Sequence, residues 1–205
     1  MAKAAKVNLD IPQGRTFSHV LQWCQERFAY RQIASASQAA PCILVTTEPH
    51  ELPDNWPFSV SNAKGMAELN SPADAECNPE RNYDAVVIDE TTIEINSLNA
   101  AGFKPYSSGG IITYNLPQDL AGFTAAAQVR AKIDSEIVLL SMTTENAGII
   151  LDNTAKTITL QASAVATASI DWMEGVWDLE LTSPSGRVYP VAAGSVKVIR
   201  EVTRP

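Results

Sequence analysis

The sequence predicts an all-β protein, and two observations carry that reading. The first is a run at residues 157–163, where Ile158, Leu160 and Ala162 alternate with Thr157, Thr159, Gln161 and Ser163. Successive side chains of a strand point to opposite faces, so this run has one apolar and one polar face, as in a half-buried antiparallel sheet. Asp152-Asn153-Thr154-Ala155-Lys156 precedes it, a polar reversal in which Asp and Asn can bond nearby backbone. Residues 143–161 therefore read as strand, turn, strand. The second observation is that short runs of this kind recur along the chain with Gly, Pro, Asn and Asp between them, which predicts a sandwich.

From the N-terminus, Val7, Leu9 and Ile11 alternate with Asn8 and Asp10, and Pro12-Gln13-Gly14 breaks the run. Thr16 to Trp23 resumes it, with Phe17, Leu21 and Trp23 on one side by parity and His19 expected on the surface. Cys24 to Ile33 fits a short helix or a continued strand, and the Ser/Ala-rich residues 35–40 read as a linker and a domain boundary. Further strands are expected at Cys42–Thr47, Trp56–Val60, Tyr83–Asp89 and Thr91–Ile95, with a polar loop at 71–82. A second β region begins near Ile111 and continues through Thr124–Arg130, Ile137–Met142, Gly175–Thr182, Arg187–Val191 and Ser195–Val202. Within it, Trp177, Leu179 and Leu181 point inward, residues 163–174 allow a helical turn, and Ser183-Pro184-Ser185-Gly186 is a tight turn.

Composition narrows the function. The chain of 205 residues has a net charge of -8, and it contains no Lys/Arg cluster of the kind that nucleic-acid binding needs. No apolar run approaches the length of a membrane span. The lysines near the N-terminus have no apolar core behind them, so no secretory signal is expected. Cys24, Cys42 and Cys77 are odd in number and form no Cys-x-x-Cys, which predicts reduced thiols in a protein made in a cytoplasm. Neither they nor the distant His19 and His50 show metal-ligand spacing, so no metal or other cofactor is expected. Cys42 lies in an apolar run and reads as a buried small hydrophobe, and Asp84, Asp89, Glu90 and Asp171 read as solvated turn carboxylates. No catalytic residues are assigned.

Five segments occur in an order that resembles a known family. They are Gln13-Gly14-Arg15-Thr16-Phe17; Asp119-Leu120-Ala121-Gly122-Phe123-Thr124 with Gln128-Val129-Arg130; Thr143 to Ile149; Val176 to Leu181 with Ser183-Pro184-Ser185-Gly186; and Glu201-Val202-Thr203-Arg204. Together they resemble a small immunoglobulin-like β-sandwich of tailed-phage virions, found in tail and baseplate proteins and at the attachment ends of fibres. In that family the first strands run almost directly into the Asp-Leu-x-Gly-Phe segment, whereas about 90 residues intervene here. The intervening piece is similar to a second module, related to the first catalytic-cysteine half-domain of ubiquitin-activating enzymes. Pro49-His50-Glu51-Leu52-Pro53-Asp54, Lys64-Gly65-Met66 with Glu68-Leu69-Asn70, Thr91 to Ile95 and Tyr106 to Gly110 carry that likeness. The module usually has glycine where Glu51 and Asn55 stand, so those two turns are expected to differ. No Gly-rich ATP-binding loop is present, and a shared fold does not carry activity with it.

The resemblance implies an immunoglobulin-like antiparallel sandwich from residues 1–34 and 112–205, with a small β-barrel-like domain, 35–111, inserted. It implies a structural, non-enzymatic virion protein, assembled in the host cytoplasm, that anchors fibres or spikes in the tail or baseplate. Its expected partners are other phage tail, baseplate or fibre proteins, in a symmetric homo-oligomer without nucleic acid or membrane. Contacts are expected at Trp56, Phe103, Tyr106, Trp172, Val198, Arg200 and Arg204, with the free edge of the C-terminal strand open to strand addition. Alternatives are a head or neck position, or a receptor- or carbohydrate-binding module presenting Trp56 and Tyr106 as an exposed aromatic platform.

Overall fold

A computed structural model describes residues 4–72 and 82–200. In chain order the strands are β1 (Ala5–Lys6), β2 (Leu9–Pro12), β3 (Phe17–Gln22), β4 (Cys24–Ala36), β5 (Cys42–Thr46) and β6 (Pro57–Lys64). There follow β7 (Tyr83–Asp84), β8 (Val86–Val87), β9 (Thr92–Ile95), β10 (Ser108–Pro117), β11 (Thr124–Arg130) and β12 (Val138–Thr143). The chain continues through β13 (Ile149–Asp152), β14 (Thr157–Ala162), a short helix α1 (Ala164–Ala168), β15 (Glu174–Thr182) and β16 (Val188–Ile199). The protein is all-β.

Two compact units divide the chain: Met1–Trp23 with Asp119–Pro205, and Cys24–Gln118. The second interrupts the first once. Its boundaries lie outside the 34/35 and 111/112 expected from sequence, because β4 and β10 pair with each other, from Ile111 opposite Gln32 to Pro117 opposite Cys24. Both strands therefore belong to the inserted unit. The Cys24–Ile33 run, which sequence left between helix and strand, is strand.

In the first unit, one sheet has the order β1–β16–β15–β11–β12, with β2 also on β16, and the other has β13–β14–β3. Leu9, Ile11, Val129, Trp177, Leu179 and Leu181 from the first sheet form one buried core with Phe17, Ile149, Ile158 and Leu160 from the second, which makes a sandwich. Pairing is antiparallel except that β1 and β2 run parallel to β16. Arg187–Val191 and Ser195–Val202, expected as separate runs, belong largely to the single strand β16, whose register with β15 shifts between Leu179 and Glu180.

The N-terminal segment crosses β16 at Gly194. Val7 N–H donates to Ala193 O at 2.9 Å, and Asn8 Oδ1 accepts from Ser195 N and Oγ at 3.2 and 2.9 Å. A Cβ on Gly194 would collide with the Val7 carbonyl, so this crossing requires glycine. Trp177, opposite Gly194 in register, donates its indole N–H to the same carbonyl at 2.9 Å. With β15 on one side and β1, β2 and the segment between them on the other, β16 has no free edge along 192–197. This overturns the expected strand addition there.

The β13–β14 hairpin folds as its sequence reads. Asp152 Oδ1 accepts from the N–H groups of Thr154 and Ala155 at 2.8 and 2.9 Å, and Ile158 and Leu160 are buried. Ser163 then caps α1, accepting from Ala166 N at 3.2 Å. His19 departs from expectation. It shares the inner parity of Phe17 and Leu21 and is half-buried, while Val20 is the exposed neighbour at 56%.

The inserted unit is one seven-stranded sheet, β7–β6–β10–β4–β5–β9–β8. Its end strands β7 and β8 are separated in sequence only by Ala85, so the sheet curls until it is nearly a barrel. Closure protects short edges that would otherwise recruit other chains. Ile33, Leu44, Phe58, Val60, Ile93, Ile95 and Ile112 fill the interior.

Deleting the buried Trp177 side chain removes a large aromatic and leaves the Val7 carbonyl without its indole donor. Trp177→Ala is expected to cost about 3–5 kcal/mol in chemical denaturation. Glu180→Ala, on the exposed face of the same strand, is expected to change stability by less than about 0.5 kcal/mol. Equal losses would contradict the assigned faces.

Candidate functional site

A densely bonded polar cluster surrounds the Pro49–Asn55 loop of the inserted unit. His50 is buried at 2% exposure. Leu52 N–H donates to its Nδ1 at 3.0 Å, which assigns the proton to Nε2, and Nε2–H donates to Asp89 O at 2.8 Å. His50 N–H donates to Glu90 O at 2.9 Å, and the Tyr114 hydroxyl donates to the His50 carbonyl. Burial pushes the Tyr114 phenol up from its ordinary range. Both ring nitrogens are thus committed to backbone, leaving none for a metal ion. The imidazole clamps the loop to the β8–β9 turn and does no chemistry in this geometry.

Around it, Arg31 donates Nε–H to Pro49 O and pairs with Glu51 Oε2, both at 2.8 Å. Asp54 Oδ1 accepts from Val87 N at 3.0 Å. Glu51 and Asn55 have φ of 56° and 57°, the left-handed region that glycine adopts most readily. Both turns therefore have a backbone suited to glycine, with Asn tolerating it better than Glu. Asp89 Oδ1 accepts from Thr91 N and Thr92 N at 2.9 and 2.8 Å, and these bonds hold its carboxyl below the usual range.

The first unit has two shallow grooves. One, of about 500 Å³, runs beside β12 and includes Thr16, Leu140, Asn146, Gln161 and Ser163. Its carboxamides are used internally. Asn146 Oδ1 accepts from Thr143 N and Gly148 N, its Nδ2 donates to Ser141 O, and Gln161 Nε2 donates to Ala147 O. Asn146 thereby covers part of the β12 edge that sheet pairing leaves open. The other groove, of about 670 Å³, includes Lys6, Gln128, Arg130, Ile133 and Asp178. Arg130 there donates to Gln128 Oε1 at 2.7 Å and to Ser135 O, fixing the β11–β12 loop that exposes Ile133 and Ile137.

The residues singled out from sequence are scattered. Trp56 is 1% exposed and donates its indole N–H to Asn115 O at 2.9 Å, so it is core and not a contact residue. Val198 is 2% exposed, its side chain turned into the sandwich by strand parity, and is likewise removed from the contact set. Phe103 and Trp172 are half-buried against their units' cores, and Arg200 is exposed. The Tyr106 hydroxyl lies 2.6 Å from Gly109 O and 2.9 Å from Ile33 O, tying down its own loop. Trp56 and Tyr106 form no exposed platform. Arg204 and Cys77 lie outside the described residues.

Sequence reasoning missed Phe28 and Tyr30, exposed at 41% and 60% on one face of β4. Their spacing of two would have placed them together had residues 24–36 been read as strand. It also missed the edge-to-face packing of Trp23 on Phe123 and Tyr189, with Arg187 over the Tyr189 ring at 4.8 Å. Those residues come from three distant points in the chain.

Among the described residues, no group of three or more His, Cys, Asp or Glu side chains is placed to hold a metal ion, and no helix is long and apolar enough to cross a membrane. No protein-family model matches the chain, and no curated protein matches it significantly.

Cys42 is fully buried with its Sγ 3.4 Å from Ser37 O, and burial pushes its thiol up, whereas Cys24 is exposed. Iodoacetamide is expected to label Cys24 in the native protein and Cys42 only after unfolding. Peptide mass spectrometry showing equal native labelling at both would contradict the placement of β5 in the core.

Proposed function

We propose that the chain is a structural component of a tailed-bacteriophage virion, an adaptor in the tail or baseplate that anchors fibres or spikes. One observation carries the reading. The phage-like segments at 13–17, 119–130, 143–149 and 176–186, far apart in sequence, all fall in the first unit, where they supply β11, most of β15 and the turns that lead into β3 and β13. The fifth segment, 201–204, lies outside the described residues.

The inserted unit supports the reading independently. Its resemblance to the second module departs from the usual pattern at Glu51 and Asn55, and at both positions the backbone has the positive φ that glycine favours. The highly bonded polar side chains His50, Asn70, Asp89 and Asn146 bond mainly to backbone within their own unit. Such side chains serve rigidity, which suits a part that must hold others in place.

In this role the protein works as symmetric copies, since virion parts close by symmetry. Contacts with neighbours fall on the Phe103–Tyr106 loop, the segment at Trp172 and the chain end from Arg200. Loops carried by rigid sheets are suited to such contacts.

Particles assembled without the protein, imaged by electron cryo-microscopy, are expected to have complete heads and tail tubes but no fibres or spikes at the position that it occupies in complete particles. Particles that lack the protein and keep every fibre and spike would contradict the adaptor role.

A further inference from the structure

We infer that β3 is a docking edge for a second copy of this chain. The two β3 strands pair antiparallel about a two-fold axis at Val20 and join two three-stranded sheets into one of six strands. A sheet edge presents unpaired N–H and C=O groups, and proteins guard it by shortness, charge, proline, a bulge or a cover. Each of the other edge strands of the first unit carries such a guard. β1 and β13 are two and four residues long, and β2 has four residues with Asp10 and Pro12 among them. β12 has an irregular register with β11, and on its open side Asn146 accepts from Thr143 N at 2.8 Å and donates to Ser141 O at 3.1 Å. β3 has six residues, an unshifted register with β14, and no proline, acid, lysine or arginine. Its neighbour in sequence, β2, pairs with β16 in the other sheet, so β14 is the one strand beside β3 among the described residues.

The ladder shows which backbone groups face outward. Gln161 N–H donates to Gly148 O at 2.8 Å, so Gln161 turns its backbone toward β13. Alternation along an antiparallel strand then turns Ile158, Leu160 and Ala162 toward β3, where they lie opposite Leu21, His19 and Phe17. Ser18 and Val20 therefore aim their N–H and C=O groups away from the sheet, and no other described residue bonds to them. Both residues are exposed, Val20 at 56%.

Three features select a second copy as the occupant. The first is that a row of backbone donors and acceptors is matched by an extended chain, which adds as a further strand. The second is charge. The outer rows beside this edge are Ser18 with Gln161, Val20 with Thr159 and Ile150, and Gln22 with Thr157, all uncharged. Asp152 follows Thr157 one strand further on, and its Oδ1 is held by the N–H groups of Thr154 and Ala155. Copies that each carry a net charge of -8 can meet at such an edge without repulsion, whereas a cationic partner finds no counter-charge on it. The third is self-complementarity, which a two-fold contact requires. With the axis at Val20, this residue lies opposite Val20 of the second copy, and Ser18 lies opposite Gln22 of the second copy on either side. All three rows of the strand are then paired. The exposed Val20 gains a β-branched cross-strand partner, and the row Ile150–Thr159–Val20 continues unbroken into the second copy.

This contact lies in the first unit and does not depend on the adaptor reading, so its failure leaves the particle experiment standing. Cysteine crosslinking of the full chain tests it, with Cys24→Ser and Cys77→Ser removing background thiols and Cys42 buried in the core. Opposed Cα atoms of a hydrogen-bonded antiparallel pair lie about 5.5 Å apart, within the reach of a disulfide. Ser18 and its own copy would lie about 13 Å apart, beyond that reach. Under copper–phenanthroline oxidation, Val20→Cys is expected to form a disulfide-linked dimer. Ser18→Cys and Gln22→Cys are expected to crosslink when mixed and not alone, and Thr154→Cys, on an exposed turn, reports random collision. In sedimentation equilibrium, Val20→Lys is expected to raise the dimer dissociation constant by about tenfold or more while thermal unfolding is retained. A folded Val20→Cys chain that crosslinks no faster than Thr154→Cys would overturn the proposal. So would a Ser18→Cys chain that crosslinks alone as well as Val20→Cys, or an unsubstituted chain that stays monomeric up to about 1 mM.

Discussion

The pairing of β4 with β10 is the constraint on which the two-unit organisation depends. An insertion has to leave and re-enter its host at neighbouring points, because it replaces a single connection. Pro117 lies opposite Cys24, so the last pair of that ladder brings the ends of the inserted unit together. The same two strands form the middle of the seven-stranded sheet, with β6 on one side and β5 on the other. One antiparallel ladder therefore closes the insertion and builds its core. Because the chain returns at Asp119 close to where it left at Trp23, the host sandwich can pair β3 with β14 across more than a hundred residues of sequence.

A second long-range tie holds the sandwich. The N-terminal strands run parallel along β16, and the Val7 carbonyl receives the Trp177 indole beside a glycine that has no room for a side chain. Parallel neighbours require a long connection, and here nearly the whole chain supplies it. Where the N-terminal strands reach it, β16 has both edges occupied, so it offers no free edge there for strand addition.

How far the sequence could be read depends on periodicity. Thr157–Ala162 and Gly175–Thr182 alternate cleanly, and their inward residues Ile158, Leu160, Trp177, Leu179 and Leu181 are all buried. Residues 24–36 do not alternate cleanly. Arg31 takes an inward parity at the barrel end while Phe28 and Tyr30 point outward, so hydrophobicity there runs against burial and the strand was left undecided. The unit boundary shifted for the same reason, since Gly109-Gly110 reads as punctuation but lies within β10. Trp56, at the edge of a strand between Asn55 and Pro57, reads either as core edge or as an interface anchor. Only the tertiary hydrogen bond to Asn115 O shows why it is core. The exposed pair Phe28 and Tyr30 remained hidden because residues 24–33 were left between helix and strand.

The most direct measurement is to replace residues 24–118 with a short Gly/Ser linker and follow unfolding of the remaining chain by circular dichroism and tryptophan fluorescence. If β4 and β10 close the insertion on itself, the remaining sandwich folds, keeps Trp172 and Trp177 in apolar surroundings and unfolds in one cooperative transition. A chain that stays soluble but shows no cooperative transition, with its tryptophans exposed to water, would contradict the nested organisation.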